Sequence, residues 1–502
     1  MMETSIVIAA AGASRRMGGE DKLMRIVDGV PLIRRTALRA LSSGHEVLVT
    51  LRPGDNARRD ALAGLSLRML SVEDAATGLS ASLRRAATEV EAEAGLMVLP
   101  ADMPEIGAGD LARFRRARAA HPDRILRAMA GDHPGHPVAF PPDIVPELRT
   151  LSGDTGARAV LAQYDARVLP VPLFGRRAVL DLDTPQDWTD WSSNRPSIDT
   201  PLDALANPLS AALNDPQDCV LAVITAVHGS GWRRPGAMMC LWRDHRAVGQ
   251  LTGGCIEADL ALHAGKVLDD GRPLSLRYGA GSPFFDIRLP CGGGLDITLF
   301  PFSDTQALAD LECLRRARAS AGLRFQPDGE IRLDLTTPTG WDGKDFVVAR
   351  KPEIRFLVLG RGEEARFFTH LARSAGYSVL NTDQAEVEAA FGSGGSSNRF
   401  GDQDMLLLAD ERAAVLTFFH EHESEVGIIA SALRGPAFYV GALGSRRVAA
   451  QRLSLLHAVG IDRDLLERLH APIGLIPSRR DPRELAISIL AEIIAVAGCG
   501  CL

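Results

Sequence analysis

Cysteine is scarce in this chain, with seven in 502 residues. Their spacing makes neither a disulfide framework nor a zinc ribbon, and it fits a reducing cytoplasm. Surplus positive charge is also missing: the net charge is -7, so nothing electrostatic points to nucleic acid. No uncharged run reaches the roughly 18 apolar residues that a membrane helix needs. The start, MMETSIVIAA, lacks the basic region of a secretion signal. The apolar stretch 485–498 contains Glu492 and reads as a buried terminal helix. The expected partners are therefore small molecules and proteins in the cytoplasm, with no nucleic acid and no membrane. The P-loop pattern G-x-x-x-x-G-K-[ST] is absent, the first loop carries no G-x-G-x-x-G, and no internal repeat is evident. Hydrophobic content of 46% and charged content of 24% are ordinary for a globular protein. A chain of this length predicts two to four domains.

What is there begins at residues 6–23, IVIAAAGASRRMGGEDKL. An apolar strand runs into a turn where Gly12 and Gly18 let the backbone approach an anion, and Arg16 and Lys22 supply positive charge. This arrangement suits a triphosphate; the plainer alternative is a surface loop. Gly12, Ser14, Arg16, Met17, Gly18 and Lys22 resemble the signature loop of nucleotidyltransferases that move an NMP from an NTP onto a phosphate acceptor. That chemistry is an in-line attack on the α-phosphorus, so a metal and acidic residues at a strand end are required. Asp102 follows the strand-like residues 95–99 and is assigned to Mg²⁺. A second carboxylate comes from Asp181 or Asp183, which bracket Leu182 and face one side if extended.

Further motifs follow in order: Ala10-Ala11-Gly12, residues 78–83, residues 101–104, Gly135-His136-Pro137, residues 153–158 and residues 181–185. In this order they resemble the molybdenum cofactor cytidylyltransferases. The resemblance favours Asp183 over Asp181 at the metal. It favours CTP through Ala11 and Ala101, where guanylyltransferases tend toward Gly and Cys. It implies nucleotide contacts from Ala10, Ala11, Gly12, Ser14, Arg16, Gly18, Lys22, Gly78, Ser80 and Ser82, and catalytic roles for Arg16, Lys22 and Asp102. His136 reads equally as a ligand contact or as a turn residue.

In the second half, Cys255 follows Gly253 and Gly254, and Cys291 precedes three glycines; His228 to Gly236 lie upstream. Together these resemble the XdhC/CoxI family of molybdenum enzyme maturation factors. The resemblance implies binding of molybdenum cofactor and its delivery to an apo molybdenum hydroxylase of the xanthine, aldehyde or CO dehydrogenase type. Thiolate suits a soft molybdenum-sulfur centre, so Cys255 and Cys291 are the candidate ligands with Glu257 as a further contact. Gly360, Gly362 and Ala365 fit G-x-G-x-x-A after a strand, and Asp383 stands at the dinucleotide spacing of about 20 residues. Glu363 and Glu364 would repel a pyrophosphate there, so the fold is better supported than NAD(P). Gly444 to Arg447 read as an anion-binding turn or a basic helix start, and 392–398 as a Gly/Ser-rich loop.

The expected fold class is α/β: a Rossmann-like nucleotidyltransferase domain (1–191), a linker (192–218), an XdhC-type domain (219–302), a connecting region (303–353) and a Rossmann-like domain (354–502). The reading is cytidylyl transfer from CTP to molybdopterin, with self-association left open. Competing readings are a cofactor chaperone with an inactive transferase unit, a GTP-using enzyme and a sugar nucleotidyltransferase.

Overall fold

The computed structural model describes residues 4–153, 156–193, 207–229, 233–254, 256–282, 292–302, 304–381, 402–419, 422–477 and 479–499. Its first sheet has seven strands: β1 (Thr4–Ala9), β2 (Val47–Leu51), β3 (Arg68–Ser71), β4 (Gly95–Pro100), β5 (Ile125–Ala130), β6 (His133–Phe140) and β7 (Val168–Pro172). The spatial order is β3-β2-β1-β4-β6-β5-β7. β1 runs parallel to β2 and β4, with Ile6 opposite both Val47 and Met97. Central parallel strands are covered on both faces, which is why β1 is a continuous apolar run. Ile6 and Ile8 pack with α1 (Leu32–Ser42), α4 (Ala108–Ala120) and α5 (Pro185–Ser193), while Val7 packs with α3 (Leu79–Glu89) on the other face. Ile6, Val7 and Ile8 are fully buried, each worth about 1.5–3 kcal/mol. The short α2 (Asn56–Ala61) lies between β2 and β3 in the chain.

His45 precedes β2, and its Nδ1 lies 2.8 Å from Ser43 Oγ. Burial, aided by Arg115, pushes its pKa down to about 4 from the ordinary 6.5. The folded chain resists this proton and the unfolded chain accepts it, so the contribution is complete above about pH 6.5 and is lost as pH falls toward 4. His45→Gln is expected to flatten this part of the stability curve by about 2 kcal/mol. Denaturant melts at pH 7 and pH 4.5 measure it, and parallel curves for the two proteins would refute the assignment.

The second unit is an antiparallel sheet of β8 (Cys219–His228), β9 (Met238–Trp242), β10 (Ala247–Gly249), β11 (Leu274–Gly279) and β12 (Gly294–Phe302), ordered β10-β9-β8-β12-β11. Alternation along β8 gives it two cores. Val220, Ala222 and Ile224 meet Leu260, Ala264 and Val267 of α6 (Glu257–Asp270). Cys219, Leu221 and Val223 meet Leu308 and Leu311 of α7 (Gln306–Arg316), together with Val30 and Leu38 of the first unit. The connecting region, whose sequence reads as one helical run and a polar hairpin, holds α7 and a full four-stranded sheet: β13 (Ala321–Phe325), β14 (Ile331–Asp334), β15 (Gly340–Asp342) and β16 (Asp345–Arg350), ordered β14-β13-β16-β15. The linker sequence, in which 202–213 reads as a short helix, is structured at both ends. α5 reaches Ser193, and a short helix, Pro208–Asn214, inserts Ala212 into the second unit's core.

The last unit is a parallel sheet of β17 (Arg355–Gly360), β18 (Ser378–Asn381), β19 (Ala413–Phe418), β20 (Tyr439–Ala442) and β21 (Leu469–His470), ordered β18-β17-β19-β20-β21. Its helices include α8 (Glu363–Ser374), α9 (Arg446–Ala458) and α10 (Pro482–Cys499). Glu492 is tolerated in the apolar α10 because its carboxylate accepts from Tyr439 Oη and the Gly474 amide, both at 2.7 Å. No helix among the described residues is long and apolar enough to cross a membrane.

Candidate functional site

Two loops at the carboxyl ends of neighbouring parallel strands form the site: residues 10–25 after β1 and residues 101–106 after β4. Around Gly12 no atom lies within 4 Å of where a Cβ would stand, so a ligand can approach its backbone. Gly18, at φ +65°, closes a single 3-10 turn at Arg15–Met17. A cavity of about 420 Å³ opens here, lined by Ala10, Gly12, Ser14, Arg16, Lys22, Ala101, Asp102 and Asp183.

The charged groups in it neutralise one another. Lys22 Nζ donates to Asp102 Oδ2 at 2.5 Å and to Asp183 Oδ1 at 2.6 Å, and Arg16 donates to Asp183 Oδ2 at 2.6 Å. Burial disfavours the Lys22 ammonium, but Asp102 and Asp183 outweigh it and raise its pKa. Burial likewise opposes ionised Asp183, and Lys22 with Arg16 prevails, holding that carboxyl below its usual range. Asp181 goes the other way: partial burial and the like charges of Asp102 and Asp183 raise it. Lys22 thus marks the point on which the Asp102 and Asp183 carboxylates converge. Two hard oxygen donors meeting at one cation fit Mg²⁺, which usually takes one or two carboxylates plus substrate phosphates. No larger group of metal-ligating side chains is present among the described residues.

The Asp102 turn is held from below by α1. Arg35 donates to the Pro104 carbonyl, Arg39 to the carbonyls of Pro104 at 2.8 Å and Ile106 at 3.0 Å, and Thr36 Oγ1 to that of Ala101 at 3.2 Å. These arginines were not legible as site residues, because an Arg- and Ala-rich helix looks solvated; only their fourfold spacing on the apolar face hints at burial.

Gly135 and His136 dock the segment that carries Asp183. The His136 amide donates to the Ala178 carbonyl at 2.8 Å, and a Cβ on Gly135 would stand 1.8 Å from that same oxygen. From there Leu182, fully buried, donates its amide to the Asp102 carbonyl at 3.1 Å and sets the flanking Asp181 and Asp183 beside the cavity. The His136 ring does not line the cavity, and burial lowers its pKa. Gly135→Ala is expected to destabilise the first unit by about 3 kcal/mol and to displace Asp183. A thermal melt measures the cost, and a wild-type melting curve would contradict the docking role.

Gly78, Ser80 and Ser82 are placed differently from the expectation. Gly78 precedes α3 at φ +93°, but Ser80 and Ser82 are buried within that helix and do not line the cavity. Ala81 instead packs against Ala11, so this motif supports the loop from beneath.

In the second unit Cys255 and Cys291 lie outside the described residues, as do Asp383 and the 392–398 segment. Glu257 is described, and its carboxylate is already engaged. It accepts from the amides of Leu251, Thr252, Gly254 and Ile256 at 2.8–3.2 Å and from Thr252 Oγ1 at 2.8 Å. It fastens the loop on either side of position 255 rather than standing free as a ligand. Cys219, Cys240 and Cys313 are buried. At β17, Gly360 (φ +100°) is required by packing, since a Cβ would lie 2.7 Å from the Phe418 carbonyl. Gly362 leads into α8, whose first turn carries Glu363 and Glu364 against a pyrophosphate.

Residues 6–168 match the MobA-like NTP transferase domain family, residues 212–279 the XdhC and CoxI family, and residues 356–493 the XdhC Rossmann domain family. The molybdenum cofactor insertion chaperone PaoD of Escherichia coli (strain K12) is 34% identical over 287 residues, covering 57% of this chain and 85% of PaoD. A probable xanthine dehydrogenase subunit of Bacillus subtilis (strain 168) is 24% identical over 328 residues, covering 57% of this chain and 95% of that protein. A probable molybdenum cofactor guanylyltransferase of Natronomonas pharaonis is 30% identical over 194 residues, covering 37% of this chain and 96% of that protein. With its antiparallel unit and parallel last sheet matched in that order behind a nucleotidyltransferase fold, the chain belongs to the XdhC and CoxI family and carries a MobA-like NTP transferase domain ahead of it.

Proposed function

We propose that the first unit transfers CMP from MgCTP to the phosphate of molybdopterin-bound molybdenum cofactor, and that the remaining units bind the cytosine dinucleotide product and deliver it to an apo molybdenum hydroxylase. An acceptor phosphate oxygen bonds to the α-phosphorus of CTP as the bond to the leaving pyrophosphate breaks. The observation that carries this reading is the convergence of Arg16, Lys22, Asp102 and Asp183 on one cavity beside an open glycine backbone. Asp102 and Asp183 would hold Mg²⁺, which when bound neutralises triphosphate charge and favours departure of pyrophosphate. Arg16 and Lys22, paired with carboxylates in the ligand-free chain, are the cations that meet the phosphates. Binding of MgCTP would exchange these carboxylate partners for phosphate oxygens, with Asp102 and Asp183 turning to the metal ion. The relative PaoD is named as an insertion chaperone, which supports the maturation role of the second half.

Base choice rests on Ala11 and Ala101, which differ from the guanylyltransferase tendency. A GTP reading is favoured by the guanylyltransferase matched to the first unit, so the two are tested together. Purified protein with Mg²⁺, cofactor and equal CTP and GTP is expected to yield the cytosine dinucleotide. A guanine product alone would overturn the base assignment, and no product would leave a carrier with an inactive transferase unit.

A further inference from the structure

We infer that Arg58 is the positioning residue of the nucleotide loop, acting through Asp21 and the loop backbone to keep Arg16 and Lys22 at the cavity. This inference rests on the reading of residues 10–25 as a nucleotide site. Arg58 belongs to α2, outside both loops of the site, and is fully buried, whereas the adjacent Arg59 is exposed. A buried guanidinium is costly unless its N–H groups find acceptors, and the acceptors of Arg58 come chiefly from the nucleotide loop. Nη1 donates to the carbonyls of Ala10 at 2.6 Å and Gly12 at 2.9 Å. Nε and Nη2 form a fork on Asp21, at 2.7 Å and 2.6 Å, and Nη2 reaches Ser14 Oγ at 3.4 Å. The other carboxylate near it is Asp55, which caps α2 and lies 3.5 Å from Nε.

The loop is thereby held at both stems. Ala10, Gly12 and Ser14 form its departure from β1, and Asp21 its return, one residue before Lys22. Asp21 extends the hold: its Oδ1 accepts from Ser14 Oγ at 3.2 Å and from the Leu23 amide at 3.1 Å, opening the turn that carries Lys22. Burial opposes ionised Asp21, and Arg58 outweighs it, so the carboxyl is held below its usual range. The conformation so fixed is not one the loop prefers alone, since Ser14 sits at φ +48°, a left-handed value uncommon for a residue with a side chain. The glycines supply freedom; Arg58 removes it at the positions where charge must be aimed. Lysine could not substitute, because a single ammonium cannot span two carbonyls and both oxygens of a carboxylate lying in different directions.

The test compares wild type, Arg58→Lys and Asp21→Asn for MgCTP affinity by equilibrium dialysis, for KM and kcat in the transfer assay, and for trypsin cleavage at the 15–22 loop. Arg58→Lys is expected to fold, to weaken MgCTP binding and raise KM by about tenfold or more, and to change kcat by less than about threefold. It should also open the loop to trypsin. Asp21→Asn should do the same more weakly, and it decides the matter if Arg58→Lys fails to fold. A folded variant that binds MgCTP like wild type overturns the inference and leaves the nucleotide reading standing. A wild-type chain that binds no MgCTP overturns both.

Discussion

Asp102→Asn is expected to lower cytidylyl transfer on the order of a thousandfold while leaving the chain's capacity to retain molybdenum cofactor unchanged. The substitution keeps the shape of the side chain and removes its charge. Lys22 then has Asp183 as its remaining carboxylate, and the two-carboxylate seat for a divalent ion is reduced to one acid. The turn itself should stay in place, because Arg35, Arg39 and Thr36 hold it through backbone carbonyls that the substitution does not touch. Retention of cofactor is assigned to residues far along the chain, so it should survive. Transfer at the wild-type rate would remove Asp102 from the mechanism, and loss of both properties would show that the two halves do not divide the labour.

The candidate positions that the structure brings together are those where chemistry requires a residue type at a strand end. The apolar run before Gly12, the lysine at 22 and the aspartate at 102 follow from the needs of a charged ligand beside a parallel sheet, and the strands expected before Gly12 and at 95–99 are present as Thr4–Ala9 and Gly95–Pro100. What escaped notice is the shell around them. Little in the local sequence distinguishes buried Arg58 from exposed Arg59, or the arginines of α1 from a solvated face, because their partners are backbone carbonyls and carboxylates brought near by the fold. Ser80 and Ser82 differ in the opposite sense: the resemblance implies nucleotide contacts there, whereas both side chains are buried within α3. Within 321–350 the sequence reads as a polar hairpin, and the extension to four strands is not legible because the strands are short, three to six residues each.

The largest stability effect is expected where the first unit meets the second. Arg34 of α1 makes a bidentate pair with Asp310 of α7, at 2.7 Å and 2.6 Å, and both side chains are buried. Arg34 also donates to the carbonyls of Ala61 and Ala63, at 2.8 Å and 2.9 Å, and Gln306 donates to Asp310 at 2.9 Å. Val30 and Leu38 pack into the same core as Cys219, Leu308 and Leu311, so the pair sits in an apolar joint between units. Removing one partner strands the other, at a cost of about 3–5 kcal/mol. Asp310→Ala should therefore lower the unfolding midpoint sharply and raise hydrogen exchange in both α1 and α7. The double variant Arg34→Met with Asp310→Leu should recover much of the loss, because apolar residues of similar size replace both charges. Asp310→Ala with wild-type melting would mean that the pair does not hold the joint. Under the proposed function the joint matters, since a product made in one unit and held in another of the same chain would be presented at high effective concentration.

Synthesis of the dinucleotide in one unit and its retention by the others can be tested in a single measurement. Stoichiometric molybdenum cofactor and CTP labelled at the α-phosphate are mixed with the full chain and Mg²⁺, and the protein is separated from free nucleotide after a single turnover. The expected result is label eluting with the protein as the cytosine dinucleotide, with one pyrophosphate released for each label retained. Pyrophosphate release absent and label wholly in the free CTP fraction would contradict it.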